Sequence, residues 1–177
     1  MMYEPKEDSI LLLKHAKELA KGRVLEIGTG SGIIANAVAK NPDVETVLAV
    51  DIDEESIEHC ESYYQNKKLT FIVSDMLEKI EGKFDCIVFN PPYLPQDKGI
   101  KDKALYGGQK GWEILGKFFS QAKDYLNKDG IILIVFSSLT DKKKVDEIIN
   151  ENGFSFKELE RKHVFFEDLY VYSISFS

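Results

Sequence analysis

Asn90, Pro91, Pro92 and Tyr93 follow directly on the apolar run Phe84-Asp85-Cys86-Ile87-Val88-Phe89. An amide, two prolines and an aromatic ring can together grip a planar NH2 group. The apolar run reads as a buried strand, and neither proline can donate to a sheet ladder, so the chain leaves the sheet at Asn90. The prolines stiffen the backbone, and a residue before proline is held out of the helical region. Asn90 Oδ1 and the Pro91 carbonyl are then free to accept one N–H each. A conjugated nitrogen is a poor nucleophile because its lone pair is delocalised. Two acceptors hold it in line for attack and stabilise positive charge as it develops. No strong base is needed beforehand, since the nitrogen becomes acidic only as its new bond forms. Tyr93 can close over the planar group and exclude water. Asn90, Pro91 and Tyr93 are the candidate catalytic group, and Pro92 joins them as a substrate contact.

A second group could hold what is delivered to that nitrogen. Glu26-Ile27-Gly28-Thr29-Gly30-Ser31-Gly32 lies between a predicted strand and helix. Its glycines permit a tight turn and let a ligand lie against bare backbone. Gly-rich turns of this kind also serve dinucleotides, so the turn alone leaves the ligand open. Asp51 ends the next strand, where a carboxylate can accept from both hydroxyls of a ribose. Asp75 ends the third, where it can accept from an adenine amino group. Ile52 and Met76 adjoin these carboxylates. Glu26, Gly28, Thr29, Gly30, Asp51, Ile52, Asp75 and Met76 form the candidate cofactor group, with Asn90 at its border. A nucleoside-triphosphate loop of the Gly-x-x-x-x-Gly-Lys-[Ser/Thr] type is absent from the sequence.

The elements that must position these residues follow from periodicity. Helices are predicted over 7–21, 32–40, 54–65, 111–126 and 142–151. Strands are predicted over 23–27, 46–50, 69–73, 84–89, 131–136, 154–161 and 168–176. Alternating strands and helices specify a mostly parallel seven-stranded α/β sheet, helices on both faces. The last two strands lack a helix between them and should pair antiparallel. Residues 94–110 read as a long polar loop. The 177 residues suit one domain, with 1–21 as an N-terminal segment.

Net charge is −7, with 44% hydrophobic and 30% charged residues. An acidic chain is not expected to grip a nucleic-acid backbone by itself. The one basic cluster, Lys142-Lys143-Lys144, reads as a solvated helix face between acidic neighbours. No apolar run approaches the roughly 20 residues a membrane span needs. The acidic N-terminus does not read as a signal peptide, so a cytoplasmic protein is expected. Cys60 and Cys86 fall in a helix and a core strand and should be buried thiols. His15, His59 and His163 match no triad or metal spacing, and no metal site is expected.

Taken in order, the acidic glycine turn and the two strand-end carboxylates resemble class I methyltransferases that bind S-adenosylmethionine. That resemblance implies a Rossmann-like three-layer sandwich, with Glu26 drawing the cofactor's sulfonium. Asn-Pro-Pro-Tyr resembles the motif of enzymes that methylate an adenine N6 amine or a glutamine amide. Tyr3-Glu4-Pro5-Lys6-Glu7-Asp8-Ser9 resembles the Tyr-x-Pro-x-Glu-Asp-[Ser/Thr] opening of the short HemK-like glutamine methyltransferases of archaea and eukaryotes. Leu105-Tyr106-Gly107-Gly108-Gln109-Lys110-Gly111 is similar to that family's Gly-Gly-x-x-Gly segment. The likeness implies that the opening covers the cofactor, with Ser9 among its contacts. It further implies N5-methylation of the Gly-Gly-Gln glutamine of a peptide-chain release factor, and a small zinc-binding activator as heterodimer partner. Rival readings are an N6-adenine methyltransferase on DNA or RNA, a protein lysine methyltransferase, and a non-catalytic cofactor-binding scaffold.

Overall fold

The computed structural model describes residues 6–92 and 111–177. The described elements run α1 (Glu7–Leu19), β1 (Gly22–Ile27), α2 (Ile33–Ala39), β2 (Val44–Asp51), α3 (Glu54–Tyr63), β3 (Leu69–Val73) and β4 (Phe84–Phe89). After residue 110 come α4 (Glu113–Ala122), β5 (Leu126–Ser137), a 3-10 turn (Ser138–Thr140), α5 (Lys142–Glu151), β6 (Phe154–Val164) and β7 (Glu167–Phe176). The seven strands form one sheet in the order β3-β2-β1-β4-β5-β7-β6. Strands β1 to β5 pair in parallel, and β7 runs antiparallel to both β5 and β6.

The central strands read as continuous apolar runs because both faces are covered. Side chains alternate between faces along each strand. Leu25, Ile27, Ile87 and Phe89 pack with Leu115, Phe118 and Phe119 of α4 and Val145 and Ile149 of α5. Val24, Cys86, Val88, Leu133 and Val135 pack on the other face, with Leu11, Leu12 and Ala16 of α1, Ile34 of α2 and Ile57 of α3. A chain of edge-to-face rings, Phe89–Phe118–Phe119–Phe154, at centroid distances of 5.1, 5.0 and 5.7 Å, ties the end of β4 through α4 to β6. Cys60 and Cys86 are buried free thiols.

Element boundaries depart from the expectation where side chains intervene. Helix α4 ends at Ala122, and β5 starts at Leu126, five residues before the predicted start at Ile131. Leu126 pairs with Phe84 while Ile131 pairs with Cys86, so the residues between the predicted helix and strand become a bulge inside the strand. Asn127 Nδ2 holds it by donating to Asp85 Oδ1 at 2.8 Å. The final hairpin is longer than predicted, because β6 runs to Val164 and β7 begins at Glu167. Two of the three basic residues at the start of α5 are engaged locally. Lys142 pairs with Asp146 at 3.0 Å, and Lys144 pairs with Glu147 at 3.3 Å.

The topology decides where a ligand can lie. From β1 the chain steps outward to β2 and β3, then returns to place β4 on β1's other side. The reversal opens a crevice at the carboxyl ends of β1 and β4, the usual ligand position in such sheets. The Gly28 turn leaves one of these strands and Asn90 leaves the other.

The two sheet edges differ. β6 presents Lys157, Glu158, Glu160, Arg161 and Lys162 and has a register shift between Glu158 and Glu160. Charges and bulges of this kind blunt an edge against further pairing. β3, Leu-Thr-Phe-Ile-Val, carries no charge at all.

Candidate methyl-transfer site

The Asn90 side chain is held from below by α1. Its Nδ2 donates to Asp8 Oδ2 at 3.3 Å and to Ser9 Oγ at 3.2 Å. Asp8 and Ser9, in the first turn of α1, are 4% and 6% exposed. Asp8 Oδ1 also accepts from the Ser9 backbone N–H at 2.7 Å. Reversing the Asn90 amide would set its oxygen against a carboxylate, two acceptors facing each other, so chemistry fixes its orientation. With both N–H donors turned toward α1, Oδ1 faces the opposite way as an acceptor. The Pro91 ring packs into the buried interior behind it.

Sequence reading groups Ser9 with the cofactor and gives Asp8 no role; the structure brings both to Asn90. No local periodicity signals a contact between positions 8 and 90. The clue lies in the opening itself, where an acidic residue and a hydroxyl stand in a first helical turn with no cap to form. Tyr93, the opening residues Tyr3 to Pro5, and the segment from Leu105 to Lys110 lie outside the described residues.

The glycine turn is built for close approach. Gly32 has φ +73°, and a Cβ there would lie 2.7 Å from Tyr64 Cε2 and 2.8 Å from Cys60 Sγ. At Gly28, with φ +70°, a Cβ would meet the Asn90 backbone carbonyl oxygen at 4.0 Å, an ordinary van der Waals contact. The two candidate groups therefore border one crevice. The turn is knitted to β2, with Thr29 N–H donating to the Val50 carbonyl at 2.9 Å and Gly30 N–H to Asp51 Oδ2 at 2.8 Å.

Glu26 does not project into the crevice as the sequence reading expects. Its Oε2 lies beneath the turn, accepting from Thr29 Oγ1 at 2.7 Å and Ala35 N–H at 3.0 Å. Burial pushes its carboxyl up to about 8 from an ordinary 4.5. Between these values the folded chain binds one proton more than the unfolded chain. Stability from this group is thus fully present below 4.5 and lost as pH rises toward 8. Urea midpoints measured from pH 5 to 8 should fall in the wild type, and Glu26→Gln should flatten the slope. An unchanged slope would place the proton elsewhere.

The other cofactor candidates line the same rim. Asp51 Oδ1 accepts from Asp53 N–H at 3.0 Å, so each Asp51 oxygen accepts one backbone bond and keeps a lone pair for a further donor. Ile52 beside it is 65% exposed, a large apolar side chain presented at the mouth. Asp75 Oδ2 lies 3.9 Å from Lys117 Nζ. Met76 has φ +48°, a left-handed conformation that costs a non-glycine residue about 1–2 kcal/mol. Ser74, which sequence reasoning passes over, secures this turn. Its Oγ donates to the Met76 carbonyl at 3.2 Å and accepts from Lys79 N–H at 3.2 Å. Its N–H donates to the Asp51 carbonyl at 2.9 Å, tying the two strand ends together.

These features fit an adenosine-bearing cofactor. A bare glycine backbone, a carboxylate with spare lone pairs and an exposed aliphatic surface stand in order along three strand ends. Among the described residues, no cluster of three or more His, Cys, Asp or Glu is placed to hold a metal ion.

The fold is that of a class I Rossmann-like methyltransferase. The Mtq2–Trm112 complex of E. cuniculi, described as responsible for methylating the eRF1 translation termination factor, has a chain that superposes with a TM-score of 0.80 at 24% identity, covering 99% of both chains. A methyltransferase from Pyrococcus furiosus matches with a TM-score of 0.68 at 26% identity, covering 100% of this chain and 89% of its own. The Methyltransferase small domain family matches residues 5–165, and this chain belongs to that family. A putative protein N5-glutamine methyltransferase of Methanocaldococcus jannaschii is 39% identical, over 96% of this chain and 89% of its own length. Human methyltransferase HEMK2 is 30% identical, over 86% of this chain and 79% of its own.

Proposed function

We propose that this enzyme methylates the N5 amide nitrogen of the glutamine in the Gly-Gly-Gln loop of a peptide-chain release factor, with S-adenosylmethionine as donor. The observation that carries the reading is the Asn90 amide, its Nδ2 pinned by Asp8 and Ser9 so that Oδ1 is left as the acceptor, on a residue whose backbone carbonyl borders Gly28. A lysine ammonium would need deprotonation and gains nothing from two planar acceptors, whereas a carboxamide NH2 matches them. The relatives named for protein glutamine methylation supply the substrate class.

In this reading the Gly28-Thr29-Gly30 backbone cradles the donor's amino-acid portion. Asp51 accepts from its ribose hydroxyls, Ile52 lies against its adenine, and Asp75 with the Met76 backbone reads the adenine edge. The donor supplies an electrophilic methyl carbon on a sulfonium. Asn90 Oδ1 and the Pro91 carbonyl accept the two amide N–H bonds, turning the nitrogen lone pair toward that carbon. As the N–C bond forms and the C–S bond breaks, positive charge grows on nitrogen and both acceptors stabilise it. One proton then leaves to solvent. Pro92 and Tyr93 complete the wall around the acceptor amide and exclude water. Glu26 acts from beneath, by holding the turn. Residues 1–177 act together as one domain, the opening of the 1–21 segment closing over the crevice while α1 holds Asn90 from below.

Loss of the Asp51 carboxylate should act on binding first. A charge-assisted hydrogen bond is worth about 1.5–3 kcal/mol, so Asp51→Ala should raise the donor's dissociation constant about 10–100-fold. Turnover at saturating donor should stay within a few-fold. Calorimetric titration with the donor's thioether product checks this, and unchanged affinity would remove Asp51 from the site.

We further propose a small zinc-binding activator as heterodimer partner, pairing with the edge of β3. That edge has neither charge nor bulge, unlike β6, and its backbone groups are open to another strand. The E. cuniculi relative is itself a two-protein complex. The proposed setting is the cytoplasm, without autonomous nucleic-acid binding, in keeping with the −7 net charge. Among the described residues no helix is long and apolar enough to cross a membrane.

The deciding assay supplies labelled donor to a release factor and to its Gln→Ala form, with and without a candidate zinc-binding partner. Label is expected in the glutamine form alone. Equal label in both would overturn the glutamine assignment, and label in added nucleic acid would establish the adenine reading.

A further inference from the structure

The two-residue turn between β6 and β7 is built from Phe165 and Phe166, 86% and 96% exposed. Val164 pairs with Glu167 across it, so the hairpin is as tight as a hairpin can be. Two-residue turns favour Asn-Gly, Asp-Gly or a leading glycine, because their first position needs a positive φ. Phe165 occupies that position at φ +52°. The turn thus departs from two local rules together: an aromatic residue bears a glycine conformation, and two large rings stand in water. Departures of this kind concentrate at functional positions.

Its place in the fold says what it serves. β7 is antiparallel to β5, with Leu169 opposite Ser137, so the turn projects from the end of the sheet where Asn90 leaves β4. The order β4-β5-β7-β6 sets it two to three strands from Asn90's strand; Phe89 stands opposite Ile134 and Ile134 opposite Tyr172, so the turn also lies about five residues beyond Asn90 along the strands, about 20 Å away in all at ~4.8 Å per strand and ~3.3 Å per residue. A standard protein interface covers about 800 Å² per partner, a patch about 30 Å across. A folded protein that inserts a side chain at Asn90 and rests on this end of the sheet spans the distance to the turn. The uncharged β3 edge is at the far side of the sheet, so a strand-adding partner there leaves the turn free.

The turn is also anchored. Asp168 N–H donates to Ser138 Oγ at 3.0 Å, and the Glu167 carboxylate accepts from the Ser137 hydroxyl. Asp168 in addition holds Arg161 and His163 of β6. Leu139, in the 3-10 turn clasped by these bonds, is 49% exposed and extends the apolar surface. Rigid aromatic anchors lose little entropy on binding and carry much of an interface's energy.

We propose that Phe165, Phe166 and Leu139 form a docking finger for the acceptor protein, seating in an apolar recess beside the segment that carries the methyl-accepting amide. This rests on the reading that the acceptor is a protein. The finger supplies affinity for the folded acceptor and takes no part in chemistry at the nitrogen. The occupant is the substrate itself, because the turn stands at the end of the sheet from which the acceptor must approach Asn90.

The test compares wild type with the double variant Phe165→Gly/Phe166→Ser, which suits the turn's φ and keeps the hairpin. Both are assayed on an intact release factor and on a short peptide containing its Gly-Gly-Gln sequence. KM for the intact factor should rise tenfold or more, kcat/KM for the peptide should stay within about twofold, and the melting temperature should hold or rise. An unchanged KM for the factor, or equal losses on factor and peptide, would overturn the docking role. Wild-type self-association abolished by the variant would assign the finger to a second copy of this chain, and vesicle binding abolished by it would assign it to a lipid surface. Either result overturns the proposal. Wild-type activity on both glutamine substrates upholds the functional reading whatever the variant does, and label in nucleic acid alone would sink the reading and the finger together.

Discussion

Asn90→Ala should lower turnover about 10²–10³-fold, the loss that follows removal of one pre-positioned group aimed at developing charge. Donor affinity should stay within about threefold, because the donor is assigned to the turn and carboxylates of the first three strands. The substitution removes Oδ1, the acceptor that holds the amide nitrogen in line. It also strips Asp8 and Ser9 of the Nδ2 donor they share. Asn90→Asp is no rescue. It keeps an acceptor but sets a second carboxylate against Asp8, and the like charges push the side chain out of register. Single-turnover rates at saturating donor, beside calorimetric donor affinity, separate the two effects. A rate within threefold of wild type would refute the amide grip.

Asp8→Ala should cost about 10–100-fold in kcat with little change in donor affinity. Nothing about Asp8 touches the proposed acceptor; it acts through Asn90 as a positioning residue. Without its Oδ2, the Asn90 Nδ2 keeps, among the described residues, Ser9 Oγ as its partner and the amide can rotate, so Oδ1 no longer points one way. A misplacement of about 1 Å is enough for losses of this size. Asp8→Asn retains a carbonyl oxygen for Nδ2 and should recover most of the rate. That recovery is the discriminating result. A role confined to stabilising α1 predicts that both variants lose melting temperature while their kcat falls in step. Equal kcat in Asp8→Ala and wild type would dismiss the positioning role.

The fold was legible to the extent that its causes are local and periodic. Phe84 to Phe89 announces a strand buried on both faces, and Gly28, Asp51 and Asn90 each stand at a strand end as read. The boundaries that moved did so for non-local reasons. β5 begins early because Asn127 bonds Asp85, a partner in another strand, and the β6–β7 hairpin closes on a Phe-Phe turn that no turn propensity favours. Glu26 was legible as a strand-end acid, yet its direction was not. Whether a carboxylate faces a crevice or folds beneath a turn depends on which donors lie within reach, here Thr29 and Ala35.

The amino-acid order by itself determined the alternation of strands and helices, the rigid exit at Asn90-Pro91-Pro92-Tyr93, and the carboxylates at strand ends. These follow from side-chain period and from proline's missing N–H, which act over a few residues. Only the tertiary structure decided that α1 swings under β4 to set Asp8 and Ser9 against Asn90, and that the Phe165-Phe166 turn emerges at the same end of the sheet. Contacts between residues far apart in sequence exist only once the apolar faces of helix and sheet have packed together, and no local pattern encodes them.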